Sequence, residues 1–466
     1  MYLNVFTQCS PSPQLPGWWR HEADRTAEGY RTFAYWTALA RQLERACIDV
    51  LFFADSHGVF DVYRGTWGPA VRHGVQIPSI DPLLVVSAAA AATERLGFAV
   101  TYSTTYHAPY ECARVFSSLD HLTGGRIAWN LVTSYLESAI ADGLGERLPH
   151  DDRYARADEY MAVVRALWEE SWQDDAVVRD AARDIFTDAD RVRDIAHDGR
   201  WFSVRGPHQC EPSPQRTPVI YQAGASPRGT EFAARHAEVV FVTLTDARTG
   251  AATVTELRRA AERLGRASDA LKILHGTLVI VGRTREEAKA KANLFSTLTS
   301  FEGELAKWCG WAGFDLAAYP DDAVIAEIRS EGSRSVLRTL QQTGSERTWT
   351  IGDLRYFILM GQRPRRRHGL VGTAAEVADT MQEWIDVAGI DGFNLLPCPP
   401  SAGVDDICDL LVPELQRRGA FRRAYDPAEQ TLRERYFGAG RRHYDGRREQ
   451  GSGADHAASR SDRADR

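Results

Sequence analysis

The residues best suited to chemistry gather at the ends of short apolar runs. RIAWNLVTS, Arg126 to Ser134, follows the Gly124–Gly125 turn and ends in Asn130, Thr133 and Ser134. It reads as a strand buried on both faces, and strands of that kind in a parallel sheet or barrel present their ligand-holding groups at their C-terminal ends. Residue types alone leave equal room for a core strand satisfied by its neighbours. QAGASPRG, Gln222 to Gly229, sets a strand end before a helix with Ser226 as N-cap and Pro227 in its first position. A helix N-terminus offers free N–H groups and partial positive charge to a phosphate, and Arg228 adds charge. A capped helix without a ligand fits the same residues. HDDRY, His150 to Tyr154, places two neutral hydrogen-bonding side chains on one helix face, for a phosphate or a polyhydroxylated chain, or simply as capping sequence around Asp151 and Asp152. In FFAD, Asp55 ends a buried strand and can accept from a ring N–H or a hydroxyl, or cap the next turn. In TYSTTYHAP, alternation turns Thr104 inward, and His107 is either a site group or a loop histidine.

The elements that must position these groups alternate along the chain. Strand candidates are Leu3–Phe6, Asp49–Ala54, Leu96–Thr104, the RIAWNLVTS run, Val219–Ala223, Val239–Thr243, Ile273–Val281 and Gly392–Leu396. Helical patterns separate them, and Asp81–Pro82 opens one with an N-cap and a first-position proline. Eight strands with right-handed parallel crossovers predict an α/β fold, a (β/α)8 TIM barrel with insertions after strand 4 and strand 7. The insertions are residues 174–216, expected to lie over the barrel, and 285–369. The loop 56–81, with His57, Tyr63, Trp67 and Gln76, exceeds an ordinary βα connection and implies function. The domain is expected to span 1–437, and the charged tail 438–466 to be disordered.

Composition narrows the classes. Net charge is −7, and no basic stripe favours nucleic acid. No apolar run is long enough to span a bilayer, and the N-terminus lacks the regions of a secretory signal. Seven scattered cysteines without CxxC argue against a disulfide framework or a zinc site, so no metal is expected, and a reducing cytoplasm fits. There is no GxGxxG after a strand, no GxxxxGK[ST], no HExxH and no GxSxG, so neither a dinucleotide-binding unit nor a P-loop is indicated. Twelve tryptophans serve either packing or a large aromatic-lined cavity.

FFAD (52–55), VYRG (62–65), STTYHAPYE (103–111), LDHLTGGRIAWNLVTS (119–134), HDDRY (150–154) and EPSPQRTPVIYQAGASPRG (211–229) occur in one order and spacing. Together they make the chain resemble the bacterial-luciferase-like flavin monooxygenases over roughly residues 1–437. The branch is that of nitrilotriacetate monooxygenase, dibenzothiophene sulfone monooxygenase, pristinamycin synthase and long-chain alkane monooxygenase. The resemblance implies FMN, bound as FMNH2 at the C-terminal face of the barrel. It also implies O2 activated as a C4a-(hydro)peroxyflavin, and oxygenation of a small organic substrate. Carried over by position, Asp55, Thr104, His150, Tyr154 and Ser226 contact FMN, with His150, Tyr154 and Ser226 on its phosphate. Asn130 and Ser134 flank the flavin ring, and Tyr63, Gln76 and Tyr135 lie on the substrate side. The missing dinucleotide fingerprint points to a separate NAD(P)H:flavin reductase as partner, and relatives of this kind form homodimers or homotetramers. The loop 56–81 and the second insertion are lid candidates, with Trp308, Trp311 and Phe314 as wall residues. An F420-dependent oxidoreductase of the same fold and a non-catalytic flavin-binding protein are the alternatives. One departure stands out. Relatives often show HxxGxWR near the N-terminus, whereas this chain reads QLPGWWR, with Gln14 in place of the histidine.

Overall fold

A computed structural model describes the chain apart from residues 135, 146–147, 224–225, 268, 329–347, 362–368 and 445–466, and apart from the side chains of 137, 150, 296 and 359–361. Eight parallel strands close on themselves: β1 (Tyr2–Gln8), β2 (Val50–Ala54), β3 (Gly97–Ser103), β4 (Ile127–Val132), β5 (Val219–Gln222), β6 (Val239–Val242), β7 (Lys272–Gly282) and β8 (Gly392–Pro397). Each pairs with the next, and β8 returns to β1 through Tyr2↔Gly392 and Val5↔Leu395. This is the (β/α)8 barrel expected from the alternation. Because helices cover the outside, both faces of each strand are buried, which explains the unbroken apolar runs.

The helices that matter for the site are α1 (Phe33–Arg45), α2 (Pro82–Ala91), α3 (Pro109–Thr123), α4 (His150–Arg165) and α5 (Pro227–His236). Asp81 caps α2 by accepting from the Leu83 N–H at 2.8 Å, as its sequence predicts. Beneath the barrel, Arg126 gathers the turns that precede β3 and β4. Its guanidinium donates to the Thr93 hydroxyl and to the carbonyls of Ala90, Thr93, Leu96 and Thr123.

The barrel floor is sealed by a short helix, α11 (Leu432–Phe437), reached after α6 (Ala247–Arg263), α7 (Arg285–Leu298), α8 (Phe301–Ala312), α9 (Ile351–Gly361) and α10 (Ala374–Glu383). Leu432 and Tyr436 join Val50, Phe52, Ala99, Ala128, Tyr221 and Leu274 in the interior cluster. The Tyr436 hydroxyl meets the Tyr221 hydroxyl at 2.5 Å and the Asn4 amide oxygen at 3.2 Å. Beside it, the buried Arg433 guanidinium pairs with both oxygens of the buried Glu238, at 2.7 and 2.9 Å.

Three expectations change. The insertion 174–216 does not lie over the barrel. It runs along the outside of α3 and α4, where Glu159 accepts from the backbone N–H groups of Arg200, Trp201 and Phe202 and Tyr110 donates to the Pro207 carbonyl. Within the stretch expected to begin a disordered tail, Tyr444 is buried and donates to the Arg235 carbonyl at 3.0 Å, and the Arg442 carbonyl accepts from Arg433, while the tail from residue 445 on lies outside the described residues. Directly after the second insertion comes an unanticipated strand, Leu370–Thr373, which extends the sheet beyond the barrel by pairing with the end of β7. Residues 329–347 and 362–368 of that insertion lie outside the described residues.

Removing one partner of a buried, bidentate ion pair strands a charge, whereas an exposed pair contributes little. Arg433→Ala is therefore expected to cost about 3–5 kcal/mol in urea unfolding. Arg25→Ala, which breaks the exposed pair with Asp405, should cost less than about 1 kcal/mol.

Candidate active site

Alternation along β4 sends Trp129 and Leu131 outward and Asn130 into the barrel. Trp129 donates its indole N–H to the Tyr102 carbonyl in the outer layer. Asn130 is buried, and its amide nitrogen donates to the Thr101 hydroxyl at 2.7 Å. Thr101 in turn donates to the Phe53 carbonyl at 2.9 Å. The Thr101 proton is thus committed, so its oxygen must accept from Asn130, and the Asn130 amide oxygen is left buried with no donor. Ser134, at φ 47°, donates to the Ser103 hydroxyl at 2.7 Å.

The inward hydroxyls of β3 are consequently Thr101 and Ser103, which the motifs do not single out. Thr104 lies just past the strand end, where its N–H and hydroxyl both donate to the Val132 carbonyl, at 3.0 and 3.3 Å. The alternation in TYSTT carries the signal, but phasing it requires knowing that Asn130 pairs with Thr101.

On the adjoining wall, Ser226 caps α5 by accepting from the Gly229 N–H at 3.0 Å, as QAGASPRG predicts, although Gly224 and Ala225 lie outside the described residues. Burial pushes the Tyr154 pKa up, against the neighbouring Ser226 and Thr133 side chains, which pull it down. Arg228 is not a free cation: it pairs with Asp158, whose other oxygen meets His236 Nε2 at 2.7 Å. Burial works against the Asp158 charge, yet His236 and Arg228 hold its carboxyl below the ordinary value. His150 opens α4 as its first residue, while its side chain, and all of Tyr135, lie outside the described residues.

Asp55 follows β2, and burial pushes its carboxyl up to about 6 even though His57 stands 4.0 Å away. Ser56 donates to the Gln76 side-chain oxygen at 2.8 Å, so Gln76 is tied beside Asp55. His107 stacks on Tyr102 with centroids 3.8 Å apart, and burial lowers its pKa to about 4.

Tyr63 is buried in a different place, the lid's own core. There Phe60, Tyr63, Leu305, Cys309, Phe314, Ile351 and Leu354 pack together, with Trp308 and Trp311 against them. This joins the loop 56–81 to the second insertion as one unit. Phe60 lies so close over Gly310 that an added Cβ would run into its ring. The lid is pinned to the barrel by the Val59 N–H donating to Ser138 and by Lys307 Nζ donating to the Gln14 carbonyl at 2.7 Å. In QLPGWWR, Gly17 has φ 96°, and a Cβ there would collide with the Leu298 carbonyl oxygen. That segment is a docking surface for the start of the second insertion. Among the described residues no cluster could hold a metal ion, and no helix is long and apolar enough to cross a membrane.

The pattern of the luciferase-like monooxygenase family matches residues 18–391, and the chain belongs to that family. It is 46% identical over 441 residues to the long-chain alkane monooxygenase of Geobacillus thermodenitrificans, covering 94% of each chain. It is 43% identical over 438 residues to the dimethyl-sulfide monooxygenase of Hyphomicrobium sulfonivorans, covering 94% of this chain and 90% of that one. A crystal structure of a riboflavin lyase with modified FMN and substrate riboflavin superposes with a TM-score of 0.89 at 32% identity, over 96% of this chain and 98% of that one. The protein is a flavin-dependent monooxygenase that uses reduced flavin.

The Asp55 carboxyl yields a pH dependence. Its raised pKa means that the folded chain keeps a proton that the unfolded chain has released between 3.8 and about 6. Stability therefore falls as pH rises through that window. Asp55→Asn removes the loss. It is expected to unfold in urea with up to ~3 kcal/mol more stability than the parent at about pH 8, and with no advantage near pH 3.

Proposed function

We propose that the chain is the oxygenase of a two-component system, taking FMNH2 from a separate NAD(P)H:flavin reductase and oxygenating a small, largely apolar substrate, an alkyl chain or a thioether. The observation that carries the cofactor reading is the hydroxyl cluster of Tyr154, Ser226 and Thr133 at the N-terminus of α5. Hydroxyl donors beside free helix N–H groups suit a phosphate. The residues present fit FMN in a second respect, because the Asn130 amide oxygen is buried, unpaired and inward, where a ring N–H would satisfy it.

In this reading Ser226, Tyr154 and His150 hold the phosphate. Asp55, Thr104, Ser134 and Asn130 bound the ring and its chain. Asp158 keeps Arg228 beside the Tyr154 ring, 5.8 Å from its centroid, so Arg228 shapes the pocket more than it charges it. Gln76 and Tyr135 belong to the substrate side, and Tyr63 supports it from within the lid core. Bound reduced FMN supplies the electrons with which O2 delivers one oxygen atom to the substrate and the other to water. The chain's own work is to orient the partners and keep water out. The lid core provides that exclusion, joining the loop 56–81 to the second insertion over Phe60, Trp308 and Phe314. The substrate class is supported by the relatives named for dimethyl sulfide and long-chain alkanes. The separate reductase is supported by the absent dinucleotide fingerprint and by a relative named as one component of its enzyme, that of nitrilotriacetate monooxygenase. F420-dependent enzymes share only the fold, at 11% and 14% identity.

Ser226→Ala is expected to weaken FMN about tenfold while leaving riboflavin, which has no phosphate, within about twofold. Fluorescence titration reads both. The purified chain with FMN should not oxidise NADH. With an added flavin reductase it should place one atom of labelled O2 in a thioether or alkane product. Rapid NADH oxidation by the chain alone would end the two-component reading.

A further inference from the structure

Asn130 has a counterpart that no sequence motif announces. Asn394, on β8, is buried in the barrel, and its amide oxygen too has no donor. Strands β4 and β8 lie on opposite sides of the barrel. Register pairs Asn130 with Thr101 and Tyr221, and Asn394 with Asn4 and Gly276. A barrel of this class staggers by about one residue per strand, and alternate strands fill one layer. Asn130 and Asn394 therefore share a layer with Phe52 and Phe241, whose rings meet edge to face across the interior at 5.2 Å. In the next layer toward the mouth β7 contributes Gly276, where even an added Cβ would meet nothing nearer than 3.8 Å. The result is an aromatic floor with a buried amide oxygen on either flank, below a β7 position that carries no side chain.

Buried acceptors without donors are uncommon and costly, and they mark a place where a ligand completes the bonding. Two acceptors are selective among flavins. The oxidised isoalloxazine has a single ring N–H, at N3. Reduction by two electrons and two protons adds N–H groups at N1 and N5. We propose that Asn130 and Asn394 are the acceptors of those added N–H groups, so that the barrel mouth itself distinguishes reduced from oxidised flavin. Thr101 is the positioning residue: its proton is held by Phe53, so it keeps the Asn130 amide nitrogen turned toward itself and the oxygen toward the ligand. Such a site takes FMNH2 as it arrives and lets go of FMN after turnover. This rests on the flavin reading above.

The test compares anaerobic binding of oxidised FMN and photoreduced FMN to the full chain. The parent is expected to bind the reduced form at least about tenfold more tightly. Asn394→Ala removes one acceptor. Thr101→Val frees the Asn130 amide to turn its nitrogen outward. Each should narrow the ratio about tenfold, by weakening the reduced form and leaving the oxidised form nearly unchanged. A merely structural role would weaken both forms alike and leave the ratio fixed, which would overturn the proposal. Equal affinity of the parent for the two forms would also overturn it while sparing the flavin reading. A parent that binds neither form would take down both. Two variants on opposite walls keep the test decisive if one of them fails to fold.

Discussion

The hydrogen-bond chain from Asn130 through Thr101 to the Phe53 carbonyl is the interaction on which the site depends. It crosses three neighbouring strands at the level where the barrel opens. Each link has one possible direction. The carbonyl can only accept, so the hydroxyl must donate to it and accept from the amide. The remaining amide oxygen then faces the interior as an acceptor and nothing else. A backbone carbonyl at the edge of β2 thereby sets the polarity of a side chain on β4, which is why the surrounding scaffold has to be rigid before the mouth can be specific.

The lid obeys a different rule. It has its own apolar core, built from the loop 56–81 and from α8 and α9, and it meets the barrel at a few polar pins. Lys307 and Glu304 form a buried ion pair on α8, and Lys307 also grips the Gln14 carbonyl. Gln14 thus uses its backbone, not its side chain, to hold the lid. The barrel wall is bound by strand register, while the lid, with its own core, stands apart from that register. This separation suits a family whose members act on substrates as unlike as a small sulfide and a long alkane.

The fold is readable in the sequence because helix-covered parallel strands are apolar throughout, and caps such as Asp81 and Ser226 punctuate the helices between them. Strand ends are less readable. Thr104 reads as inward because the β-forming residues run on through it, yet β3 stops at Ser103 and its phase is set by pairing with β4. Asn394 is invisible for a related reason: in FNLLP nothing local distinguishes an inward amide from a turn residue, and only the register around the barrel gives it an opposite number. Arg228 reads as free charge because its partner Asp158 sits on another helix, far away in sequence. The first insertion has charges and hairpin residues but no periodicity that could say which surface it would lie on.

The floor helix α11 bears on how the molecule comes into being. Strands β1 and β8 are partners, and Glu238 waits for Arg433, so a nascent chain that has emerged only as far as β7 carries an open sheet and an unneutralised carboxylate in its base. Synthesis order thus places the closing pieces last, and an incomplete product remains distinguishable from a finished one by its exposed sheet edges, the feature on which cellular quality control acts.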